Sequence, residues 1–115
     1  MYQYSYIESL DDNAGTCRER ERNALEQAIA LLMKAEVEGP RSLVAVEAVT
    51  YLRRLWNALI EDLGNPENDL PVVLRADLIS IGIWIIKEAD MIRVGQSENF
   101  NGLIEICSII RDGLK

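Results

Sequence analysis

The chain has 115 residues, 49% hydrophobic and 27% charged, with 19 acidic side chains against 12 basic ones and a formal net charge of -7. This fits a single globular domain that can bury roughly two thirds of its unfolded surface, and it excludes the low-hydrophobicity disordered class. The acidity runs against binding a phosphate backbone or an anionic membrane, and it favours solubility and attraction for basic partners.

The start, Met1-Tyr2-Gln3-Tyr4, has no basic stretch leading into an apolar run. No secretory signal is expected, and a cytoplasmic location is. Tyr2, Tyr4 and Tyr6 alternate, a period of two that predicts an extended N-terminal arm over residues 1–15 with its rings on one side.

After the turn signal "DDNAG", the first helix is expected over about 17–38. Thr16 as N-cap and Glu19 three residues on form a capping-box pattern. Leu25, Ala28, Ile29, Leu32 and Ala35 make its apolar face, and Gly39-Pro40 stops it. The second helix is expected over about 43–63, capped by Ser42 and ended by Gly64. Its stripe of Ala45, Val49, Leu52, Trp56, Leu59 and Leu63 lies opposite Glu47, Arg54, Asn57 and Glu61. Arg53 borders the buried face.

The third helix is expected over about 71–94, with Asp69 as its cap, Pro71 in the first turn and Gly95 as its stop. Leu74, Leu78, Ile81, Ile85, Ala89 and Ile92 form a core stripe. Ile79, Ile83 and Ile86 form a second apolar stripe roughly 130° away, and Trp84 lies off both. From Leu78 to Ile86 there is no charge, and seven of the nine residues are large and apolar. That run is about half of the roughly 20 residues a membrane span needs. The second stripe meets another helix of its own chain or is left for a partner, and periodicity does not decide between them. Ile79, Ile83, Trp84 and Ile86 are the candidate partner-binding residues.

The fourth helix is expected over about 100–114, with Leu103, Cys107, Ile110 and Leu114 on one face. Four helices joined by short turns predict an all-α fold, a compact bundle of four antiparallel helices forming a single helical domain over 1–115.

Catalytic chemistry is not expected. The chain has no histidine, the commonest general acid or base. None of the phosphate-loop, dinucleotide, nucleophile-elbow or zinc-protease motifs occurs. Cys17 and Cys107 are far apart, so neither a zinc site nor any cofactor is expected. Cys107, in "IEICSII", reads as a small core residue, and Cys17 as a free thiol near a helix start. Adjacent carboxylates such as Glu61-Asp62 read as solvated charge. Arg18, Arg20 and Arg22 alternate with Glu19 and Glu21 and make no phosphate-binding field.

The opening "MYQYSY", the hinge "GPRS", "RRLWNALIEDL" followed by "NPEND", then "LISIGIWII" and the closing "FNGLIEICSIIRDGLK" together resemble the FlaF family of flagellar biosynthesis regulators. The landmarks run in order from the first residue to the last. The resemblance implies a bacterial cytoplasmic protein without catalytic residues that acts on flagellin production and export, with flagellin and an FlbT-type regulator as partners. It is compatible with a flagellin-binding chaperone or adaptor, and also with a post-transcriptional regulator acting on flagellin messenger RNA, directly or through the FlbT-type partner.

Overall fold

A computed structural model of the chain describes residues 14–113, with side chains from Arg18 onward. The tyrosines expected in the arm, and Leu114, lie outside these residues. Four helices follow in order: α1 Ala14–Glu38, α2 Leu43–Leu63, α3 Val72–Arg93 and α4 Phe100–Gly113. No strand occurs among the described residues. The fold is an all-α four-helix bundle in which α2 packs on α1 and α3, and α4 packs on α1.

The connections follow from local chemistry. Ser42 caps α2: its hydroxyl accepts from the Ala45 N–H at 3.2 Å and donates to the Gly39 carbonyl at 2.7 Å. This satisfies one of the donors that a helix start leaves without a partner. Gly39 and Gly95 end α1 and α3 with φ of 105° and 83°, a region that costs other residues steric strain. At the α2–α3 connection, the Arg75 guanidinium donates to the carbonyls of Leu63 and Asn65 at 3.2 and 3.1 Å. It thereby covers acceptors that the end of α2 would otherwise expose.

Two expected caps are not used. Thr16 lies inside α1, which starts at Ala14; a capping box contributes only about 1 kcal/mol, little enough for helix continuity to override it. Asp69 does not cap α3. Pro71 takes the N-cap position in an extended conformation with no side-chain cap bond, and the Asp69 carboxylate instead stands 4.0 Å from the Arg18 guanidinium.

The core is built mainly by α1 and α2. All five residues expected on the α1 face are buried, as are Ala45, Val49, Leu52, Trp56 and Leu63 of the α2 stripe. Phe100, Leu103 and Cys107 close it from α4. In α3 the expected core stripe holds only in its second half, where Ile85, Ala89 and Ile92 are buried. Ile81 and Leu78 are half-buried, and Leu74 is 43% exposed. Leu78 lines an opening at one end of the bundle, where α1 presents the charged Arg18 and Glu21 beside Leu25.

Where α3 packs against Trp56 and Ile60 of α2 it carries Gly82. A β-carbon there would stand 2.8 Å from Cε3 of Trp56 and 2.9 Å from Cγ1 of Ile60. Next along the same contact, Arg53 Nε stands 2.9 Å from Oδ1 of Asp90. The N–H is not directed along that line and neither atom has a formal hydrogen bond, so this is a charge contact. With both side chains more than a third exposed, it adds little to stability.

Candidate partner-binding surface

Residues facing away from the core along a helix are normally charged. On α3 they are not. Val72, Val73, Ile83, Trp84, Met91 and Val94 are exposed, with Ala76 and Ser80 between them at spacings of three and four. Lys87 is the charged side chain nearest the centre of this face.

The four residues singled out from the sequence are divided by the bundle. Ile83 and Trp84 stand at the surface, 46% and 43% exposed. Ile79 is half-buried. Ile86 packs against the edge of the core. Ile83 and Trp84 thus share a surface with Val73 and Met91, which the reading of stripes passed over. The available signal was the outward register 73, 76, 80, 83, 84, 87, 91, 94, which carries a single charge.

A second feature lies at the open end of the bundle. Leu25, Trp56, Leu59, Leu63, Leu70, Leu78 and Ile110 line a cleft of about 160 Å³ whose polar edge is Arg18, Glu21, Asp62, Asn68 and Asp69. None of the four candidate residues lines it. The Glu21 carboxyl is pushed up to about 7, chiefly by burial and further by the nearby Asp62 charge, with Arg18 opposing.

A carboxyl whose folded pKa is raised holds its proton more tightly in the folded state. Its stabilising contribution is therefore full below the ordinary value of 4.5 and is lost as pH rises through about 7. Glu21→Gln, which stays neutral, should be more stable than the parent at pH 8 by on the order of 1–2 kcal/mol. That is less than the whole shift implies, because the side chain is still partly exposed. Urea midpoints at pH 4 and pH 8 test this, and an equal difference at both would remove the assignment.

The Cys107 thiol is free and buried. Burial pushes it up to about 11, with the neighbouring Trp56 indole N–H pulling the other way, so it is not a nucleophile at neutral pH. Among the described residues no group of three histidine, cysteine, aspartate or glutamate side chains could hold a metal ion. Nor is any of their helices long and apolar enough to cross a membrane.

A family model described as "Flagellar protein FlaF" matches residues 2–114. Searches of curated proteins and of solved structures found no match.

Proposed function

The chain belongs to the FlaF family of flagellar proteins, and from that premise we propose that it is a cytoplasmic flagellin-binding chaperone or adaptor. In this reading it serves flagellin production and export by holding an amphipathic helix of flagellin against the outward face of α3. The observation that carries the reading is the exposed apolar strip of α3 with half-exposed Trp84 near its centre. A contiguous exposed apolar patch on a soluble protein usually marks a binding site. Tryptophan is enriched among residues that dominate binding energy. A partner helix with anchors at i, i+3, i+4 and i+7 matches a strip of the same period.

The net charge of -7 runs against direct contact with messenger RNA, whose binding draws on basic groups. An effect on flagellin synthesis would then pass through an FlbT-type partner.

Ile83→Asp is the test. It should leave the urea midpoint nearly unchanged, because the side chain is already half in water, and weaken flagellin binding by about 30-fold, or ~2 kcal/mol, in titration calorimetry. Unchanged affinity in the folded variant would remove α3 as the docking face. Failure of the parent protein to bind flagellin at all would remove the chaperone reading.

A further inference from the structure

The cleft at the open end is apolar inside and polar at its edge, and none of the described residues fills it. Leu70 and Leu78 are only half-buried there, although both have core character. We propose that the cleft is the seat of the chain's own first thirteen residues, with a ring of Tyr2, Tyr4 or Tyr6 filling it. This seat is independent of the flagellin reading, which concerns the outward face of α3.

Size is the first argument. An apolar cavity of about 150 Å³ accommodates a benzene ring, and the cleft measures about 160 Å³. Position is the second. The thirteen residues before Ala14 join α1 one turn ahead of Arg18 and about two turns ahead of Glu21, both at the cleft edge. Fully extended they reach roughly 43–47 Å, against a longest bundle dimension of 39 Å. A segment anchored beside the cleft can therefore double back into it with chain to spare.

The third argument is chemical. Met1 to Ile7, "MYQYSYI", carries no charged side chain, and acidic residues begin only at Glu8. The uncharged portion can enter an edge that already holds Glu21, Asp62 and Asp69, where the acidic portion would be repelled. A tyrosine ring is an apolar body with a polar tip. Its body suits the floor of Leu25, Leu63 and Leu78, and its hydroxyl can donate to the Glu21 or Asp62 carboxylate. The Trp56 ring, also in the lining, offers an aromatic neighbour.

The experiment is nuclear magnetic resonance on the full-length chain with labelled tyrosine rings and leucine methyls. Cross-relaxation peaks from Tyr2, Tyr4 or Tyr6 to the Leu70 and Leu78 methyls are expected; their absence overturns the proposal. Peaks seen only between differently labelled chains in a mixed sample also overturn it, by placing the segment of a second copy in the cleft. Peaks to Ile83 and Met91 alone would place the segment on the other face and equally overturn it. Replacing all three tyrosines by serine should speed amide exchange over residues 72–78 by about tenfold while leaving residues 43–49 unchanged. Equal exchange over 72–78 in parent and variant would count against the proposal.

Discussion

Gly82→Leu is expected to lower the stability of the bundle by about 3 kcal/mol and to loosen α3 first. The β-carbon alone would stand within 3.0 Å of both Trp56 and Ile60, and the two neighbours differ in how far they can yield. Ile60 is half-buried and can change rotamer. Trp56 is 1% exposed, and a bulky ring packed among core side chains yields less readily than a flexible aliphatic one. Alanine therefore gains up to about 1 kcal/mol of helix propensity over glycine and loses a comparable amount to the close approach, for a net cost of about 1 kcal/mol or less. Leucine has the same propensity advantage but must place three further carbons where the α2 surface already stands, so the helices must separate. Since α3 packs chiefly on α2, that separation removes most of what holds it. Urea denaturation of the alanine and leucine variants, with amide exchange across α3, tests the size dependence. A leucine variant as stable as the parent would show that the contact can open at no cost.

Gly82 also marks the limit of what the sequence made legible. The bodies of α1 and α2 could be read because each has one apolar stripe facing a charged surface, as with Leu52 and Trp56 against Arg54 and Glu61. From Leu78 to Ile86 of α3 no direction on the wheel carries a charge, so periodicity identified a helix without orienting it. Leu74 reads as core and is 43% exposed, while Ile86, assigned to the second stripe, packs at the core edge. What orients α3 is a distance between backbones, and a glycine within an apolar run carries no trace of the tryptophan opposite. The caps failed for a related reason: Asp69 has the right chemistry for an N-cap, but the position belongs to Pro71 and the carboxylate to the surroundings of Arg18. The cleft was not legible at all. Its lining comes from the ends of three helices, the loop before α3 and Leu78, and no sequence window holds them together.

Trp56→Ala should cost about 4 kcal/mol, more than Gly82→Leu, from a domain whose total stability is expected to lie near 5–15 kcal/mol. The ring stands between Gly82 of α3 and Cys107 of α4. One edge packs where Gly82 brings α3 close. The indole N–H, buried without a well-formed hydrogen bond, lies beside the Cys107 thiol of α4. The ring also shares the lining of the cleft with Leu25 of α1. Removing it therefore opens a void between helices that cannot all collapse inward together. Trp56→Phe keeps most of the ring and gives up only a poorly satisfied donor, so a cost of about 1 kcal/mol is expected.

The thiol supplies a second readout. In a Cys17→Ser background Cys107 should be almost inert to a disulfide reagent at pH 8, because burial holds its pKa near 11. In the alanine variant the thiol gains water, and modification should accelerate by at least about tenfold at urea concentrations where the protein remains folded. Unchanged modification together with a stability loss under 1 kcal/mol would mean that Trp56 is not the tie between α2, α3 and α4. The two readouts also separate support from docking. Ile83→Asp should weaken the partner while Cys107 stays protected, whereas loss of Trp56 should expose Cys107 and weaken the partner together, because this ring, with Ile60 and the buried Ile85, Ala89 and Ile92, supports α3 from beneath.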